Sequence, residues 1–293
     1  MLDYRSHTFL EVYRARSFSQ AAKALHITQP AVSQHIRHLE QHYGAALFEK
    51  TTRGAKPTPA GDHLYRALST MANDEERLRA ELHALAGEVA PAPLRLGCTR
   101  TIADYVAPHL LACRATTQPA EPVNMRVGNT AELVQLMDAG TIDCALVEGS
   151  FDHARFDSMV YSTEDYIAVA SPDATERMDI RSVHDLIGER LILREPGSGT
   201  REILERNLAA HDLALADFAG TLELASIPAI IACVAAGAGI TFLYRIAVER
   251  ELASGALVDI TPADFTIRHD FTLIWQHGSS YATRYRALIA GTK

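Results

Sequence analysis

One 28-residue segment, SFSQAAKALHITQPAVSQHIRHLEQHYG (17–44), constrains this chain more than any other. Ser19 can cap a short helix in which Ala21, Ala22 and Leu25 are small or apolar. His26-Ile27 make a turn. Thr28 caps a second helix, with Pro30 in its first turn, where a missing N–H does no harm. At about 100° per residue this second helix divides into three arcs. Val32, Ile36, Leu39 and Tyr43 share one, which is expected in a core. His35, His38 and His42 share another, as surface or packing histidines with no Cys or acid at ligand spacing, so no metal site is expected. Gln29, Ser33 and Arg37 form the third arc, with Pro30 and Gln34 at its edge. Amides, a hydroxyl and a guanidinium suit base edges and phosphates, although the same residues also make an ordinary solvated face.

Charge favours the first use. The whole chain is at -8, but residues 1–61 hold eight Lys/Arg against four acids. That head is at +4 and the remainder at -12. A basic head on an acidic body suggests a polyanion partner for the head alone. Four cysteines (Cys98, Cys113, Cys144, Cys233) lie far apart without CxxC spacing and read as thiols in a reducing compartment. The start, MLDYRSHTFL, lacks the basic-then-apolar plan of an export signal, so a cytoplasmic location is expected. The 21 uncharged residues between Glu223 and Arg245 are long enough to span a bilayer. Pro228, Gly237 and Gly239 interrupt them, which predicts helix 227–236, a turn and strand 240–244, all buried, and no membrane partner.

Beyond the head the pattern changes twice. In residues 62–88, Leu64, Leu68, Met71, Glu75, Leu78, Leu82 and Leu85 recur in steps of four and three. This 3.5-residue stripe predicts a helix with a coiled-coil seam, hence a homo-oligomer, or else an amphipathic helix packed on its own body. AGEVAPAPL (86–94) reads as a hinge. From residue 94, strands are expected at 94–98, 123–127, 142–147, 165–170, 191–194, 220–224, 240–244 and 270–275. Helices are expected at 102–115, 130–139, 199–210, 227–236, 245–254 and 280–290. Such alternation implies parallel sheets with crossover helices.

The run SFSQAAKALHITQPAVSQHIRHLEQHYGAALFEKTTRGAKPTPAG resembles the LysR-type transcriptional regulators. The resemblance implies an α+β multi-domain chain. Its parts are a winged helix-turn-helix DNA-binding domain (1–61), a linker and dimerisation helix (62–88) and a two-lobed α/β effector domain (89–293) similar to periplasmic binding proteins. The first lobe would be about 93–161 with 267–293, the second about 162–266, joined by two crossing strands. By position, Thr28, Gln29, Pro30, Ser33, Gln34 and Arg37 would face double-stranded DNA in the major groove, with Lys50 and Arg53 of the wing on the backbone. Lys50 stands where the family usually has Arg, and Pro57 where it usually has Leu. A dimer or dimer of dimers, an imperfect palindromic operator and RNA polymerase as a further partner are also expected.

The effector site can be argued from the strands. Ligands in open α/β sheets bind beyond strand carboxyl ends, where helix N-termini offer N–H groups. Four junctions there are polar. They are Cys98-Thr99-Arg100-Thr101, Gly128-Asn129-Thr130, the loop Arg194 to Arg201, and Ser226. If they converge they form a nest for a small anion; if not, the same residues are N-caps. Cys98, Thr99, Arg100, Thr101, Asn129, Thr130, Arg194, Ser198, Gly199, Thr200 and Ser226 are the candidates. Gly on both sides of Ser198 lets a bound group approach the backbone. The alternatives are a solute-binding protein, which leaves the basic head unexplained, and a thiol-based redox sensor. The peroxide-sensing members of the family carry cysteines near 195–206, where this chain has none. No cofactor is expected, and no enzyme. Ser198 in GSGT lacks the G-x-S-x-G pattern, and nothing orders His184, His211 or His269 as its base.

Overall fold

The computed structural model describes residues 2–51, 54–87, 92–117 and 122–290. It divides into two compact units, one of Met1–Pro93 with His153–Asp157 and Trp275–Arg286, the other of the remaining residues.

The first unit opens with α1 (Tyr4–Ala15), α2 (Phe18–Ala24) and α3 (Gln29–Tyr43). A hairpin follows, β1 (Phe48–Thr51) with β2 (Gly54–Pro57), and then α4 (Pro59–Leu85). Phe9, Val12, Ala21, Val32, Ile36 and Leu47 are buried in one apolar cluster that holds the three helices against the hairpin. The hairpin is the wing. Its Ala55 N–H donates to the Arg16 carbonyl at 2.8 Å. Gly54, at φ +124°, lies so close to that carbonyl that a Cβ would sit 2.7 Å from it. Pro57 ends β2 opposite Phe48, at the strand boundary where a missing N–H is tolerated.

Two expectations about the head need correcting. The cap of α2 is Ser17, which accepts from the Gln20 N–H, and not Ser19. Phe18 packs against Phe48, which draws it into the helix and starts that helix earlier. Tyr43 is 48% exposed rather than in the core, because the apolar contact ends at Leu39 and the helix stops at Gly44, at φ +67°.

The second unit begins with β3 (Leu94–Cys98), α5 (Arg100–Tyr105), α6 (Ala107–Thr117), β4 (Val123–Val127), α7 (Thr130–Asp138) and β5 (Cys144–Val147). One helix was expected over 102–115. Pro108 lacks an N–H and its ring blocks the carbonyl four residues back, so the chain breaks at Val106 and restarts. Next come β6 (Phe156–Ala170), α8 (Pro172–Thr175), β7 (Arg190–Leu193), α9 (Gly199–Ala210), β8 (Gly220–Glu223), α10 (Ile227–Ala235), β9 (Thr241–Tyr244), α11 (Arg245–Ser254) and β10 (Val258–Asp259). β11 (Ile267–Gln276) and α12 (Ala282–Ile289) complete the chain.

The main sheet runs β10-β6-β11-β5-β3-β4, with β9 also on β6. β3 pairs in parallel with β4 and β5, but β9 and β10 pair antiparallel to β6, so the sheet is mixed rather than parallel throughout. β7 and β8 form a parallel pair tied to the start of β9 through Leu191 and Ile240. β6, expected only at 165–170, is 15 residues long. The uncharged run resolves into α10, a turn with Gly237 at φ +78°, and β9, but it is not all buried, since α10 exposes Pro228, Ala232 and Ala235 on its outer face. Among the described residues no helix is long and apolar enough to cross a membrane.

Candidate functional site

Two places carry chemistry, the exposed face of α3 and a cavity in the second unit. Thr28 caps α3, its hydroxyl accepting from the Ala31 N–H. Thr28, Gln29, Pro30, Gln34 and Arg37 are exposed and Ser33 is half-buried, while Val32, Ile36 and Leu39 on the opposite arc are buried. His35 is not on that face, because its ring nitrogen contacts the Thr8 hydroxyl at 3.0 Å and its ring lies edge-on to Tyr4. Glu40 orients the wing by accepting from the Leu47 N–H at 2.9 Å. Lys50 pairs with Ala55 within the hairpin, and Arg53 lies outside the described residues.

The seam residues of α4 separate into two groups. Leu68 is buried and Leu64 packs on the head core. Glu75, the one polar member, accepts from the Leu2 N–H at 2.9 Å. Met71, Leu78, Leu82 and Leu85 are 50–84% exposed. The stripe is therefore divided: Leu64 and Leu68 pack on the head, and Met71, Leu78, Leu82 and Leu85 are left as bare apolar surface. Of the hinge expected at 86–94, residues 88–91 lie outside the described ones, while Ala86 ends α4 and Leu94 already belongs to β3.

The cavity, of about 240 Å³, lies where three strand-to-helix junctions meet. Thr99, Arg100, Asn129, Arg194, Ser198 and Gly199 line it, together with Glu132, Glu148 and Glu195. Cys98, Thr101, Thr130, Thr200 and Ser226 are not in its wall. Asn129 and Glu132 form a reciprocal capping box on α7, and Ser226 caps α10. Cys98 is buried, and that burial pushes its thiol up to about 12, which disfavours the reactive thiolate.

Two helices that reach the cavity, α5 and α9, have no capping side chain. Thr99 stands at the cap position of α5, but its hydroxyl donates to Glu148 instead, at 3.2 Å. Ser198 stands at the cap position of α9, buried and with no capping bond. Gly197 turns the loop at φ +83°. Gly199 packs against Glu148, and a Cβ there would lie 3.3 Å from its Cγ. The buried Arg194 forms a two-bonded pair with Glu195, both at 2.7 Å, which holds the Glu195 carboxyl below the usual range. Arg100 is 3.8 Å from the same carboxylate. Arg201 braces the loop, donating to the Arg194 carbonyl and pairing with Glu205 and Glu223.

Glu148, which follows β5, is absent from the residues expected at the site. Its carboxyl is buried, and burial raises it to about 7 against the lowering effect of Thr99, Thr101, Arg194 and Thr200. Thr101 and Thr200, placed at the site by their junctions, hydrogen-bond Glu148 at 3.3 and 3.4 Å. The sequence held a signal for it: ALVEGS is an apolar strand followed by an acid and small residues, a polar strand end like the other four although no helix follows it.

The sequence pattern of the bacterial regulatory helix-turn-helix protein, lysR family, matches residues 5–62, and that of the LysR substrate binding domain matches residues 88–291. The chain is 30% identical over 285 residues to the transcriptional regulator CbbR of Rhodospirillum rubrum, covering 97% of this chain and 93% of that protein. It is 28% identical over 274 residues to the transcriptional regulator CysL of Bacillus subtilis, covering 91% of this chain and 88% of that protein. The fold is similar to that of full-length LysG from Corynebacterium glutamicum with its effector Arg bound. That similarity has a TM-score of 0.70 at 19% identity and covers 100% of this chain and 98% of that one. The chain belongs to the LysR family: it is a LysR-type transcription regulator with a DNA-binding helix-turn-helix and an effector-binding domain.

Proposed function

We propose that α3 reads an operator through Thr28, Gln29, Pro30, Ser33, Gln34 and Arg37, with Lys50 and Arg53 on the phosphate backbone. We propose further that a small molecule bearing an anionic group, held in the 240 Å³ cavity, controls the regulator. The observation that carries the first part is the division of one helix into a buried apolar arc and an exposed arc of amides and a guanidinium. The second part is supported by the uncapped N-terminus of α9, a buried Ser198 hydroxyl and Arg100 at one cavity. Residues 1–61 form the DNA-binding domain and residues 62–88 the dimerisation helix, through the bare edge of Met71, Leu78, Leu82 and Leu85.

A dimer presents two recognition helices, so the operator is an imperfect palindrome. RNA polymerase is the further partner, and the cytoplasm, which holds the chromosome, is the compartment. The effector acts by binding one arrangement of its domain more tightly than another, since equal affinity would shift nothing. Gel retardation of an operator fragment tests the α3 face. Arg37→Ala is expected to abolish the retarded band while light scattering shows an unchanged oligomer, and a retained band removes Arg37 from the interface.

A further inference from the structure

The cavity holds one group that, when ionised, works against a simple anion. Glu148 is buried in the cavity wall, and its hydrogen-bond partners are three hydroxyls at 3.2–3.4 Å, long for O–H···O bonds. A carboxylate has about four acceptor positions, so these contacts leave capacity unused. The nearby guanidinium of Arg194 is committed to Glu195 through two bonds. Glu148 forms no ion pair of its own among the described residues, and burial leaves it near its titration point at neutral pH. A bare anion placed beside it would put like charges in the same poorly solvated space.

We propose, on the reading of this cavity as the effector site, that the effector is a small zwitterion, a carboxylate that also carries an ammonium group. Glu148 receives the ammonium, and the uncapped start of α9, Ser198 and Arg100 receive the carboxylate. The ammonium supplies the charged donor that the buried carboxylate lacks, and its three N–H groups match acceptors left open by the threonines. A cavity of about 240 Å³ is smaller than the ~300–1,000 Å³ usual for drug-sized ligands, which suits a molecule of amino-acid size.

The sign of the pH dependence separates this from a simple anion. The groups acting on Glu148 are Thr99 at the cap position of α5, Thr101 within it, Thr200 from α9, and Arg194, which is itself paired with Glu195. Tyr166 of β6 and Tyr244 of β9 feel the Glu148 charge, which raises both phenols further. Glu132 and Arg100 share the cavity wall. Burial holds both tyrosines neutral, and the Glu195 carboxyl is held ionised by Arg194. An ammonium favours ionised Glu148, so its binding releases a proton and tightens as pH rises through about 7. A bare anion favours the protonated form and binds more weakly over the same range.

The test is calorimetric titration of the full chain, and of Glu148→Gln, at pH 6 and pH 8. The probes are the common L-amino acids, the N-acetylated and 2-hydroxy-acid counterparts of each binder, sulfate and phosphate. At least one amino acid is expected to bind, more tightly at pH 8 than at pH 6. It is expected to lose affinity about ten-fold or more on acetylation or deamination, and by a similar factor in Glu148→Gln. Thermal melting checks that the variant folds, and the analogue series and pH trend decide the matter in the parent chain alone. Preference for hydroxy acids or inorganic anions, affinity falling with pH, or undiminished binding by folded Glu148→Gln would overturn the zwitterion and leave the cavity as effector site. No binding by any of these probes overturns both.

Discussion

At the scale of single residues, hydroxyls are put to a use that their sequence positions do not announce. Thr99 and Ser198 occupy cap positions, yet neither caps: Thr99 donates to Glu148, and Ser198 is buried beside the cavity. Capping propensity is local chemistry and can be read from sequence, whereas the competing acceptor arrives from another strand. Glu148 has a consequence for stability as well. Its folded pKa, about 7, lies above the usual carboxylate value, so the stability it contributes is fully present below the unfolded pKa and is lost as pH rises through about 7. A shift of this size corresponds to on the order of 3 kcal/mol. Without ligand, Glu148→Gln is therefore expected to melt above the parent at pH 8, and the difference is expected to shrink at pH 5. Calorimetric melting at both values checks this, and a parent more stable at pH 8 contradicts it.

At the scale of elements, α4 divides one periodic pattern between a covered face and a bare one. Its first turns are fixed by Thr58, whose hydroxyl donates to the Ala46 carbonyl and caps the helix, and by Gly61, where a Cβ would lie 2.2 Å from the Leu47 carbonyl. Gly61→Ala is expected to cost about 1–3 kcal/mol by overpacking, measured as a lower denaturant midpoint. Further along, Leu78 and Leu82 are half exposed, more apolar surface than a helix end alone needs. Replacing both by Glu is expected to reduce the oligomer to a smaller species with helical content unchanged, read by light scattering and circular dichroism. An unaltered mass would move the contact elsewhere. The extension of β6 to Phe156 was not legible, because FDSMVYSTE has no alternation of apolar and polar residues. What makes it a strand is its place in the sheet beside β11.

At the scale of the molecule, the head's charge of +4 inside a chain of -8 predicts DNA binding governed by counterion release. Operator affinity, measured by fluorescence anisotropy, is expected to fall about 10³-fold between 50 and 200 mM salt, as for proteins that make several phosphate contacts. A flat salt response would argue against a phosphate interface. The sequence by itself determined the helix-turn-helix, the buried arc of α3, the long helix and the alternation of strands and helices. It also determined three of the junctions that meet at the cavity. These rest on periodicity and capping, which act over a few residues and survive in a linear string. Only the tertiary structure decided that Tyr43 is exposed, that the sheet is mixed, and that Glu148 is buried among threonines from α5 and α9. Burial, pairing direction and a carboxyl's neighbours are set by segments about 50 residues apart or more, and no local pattern encodes which of them meet.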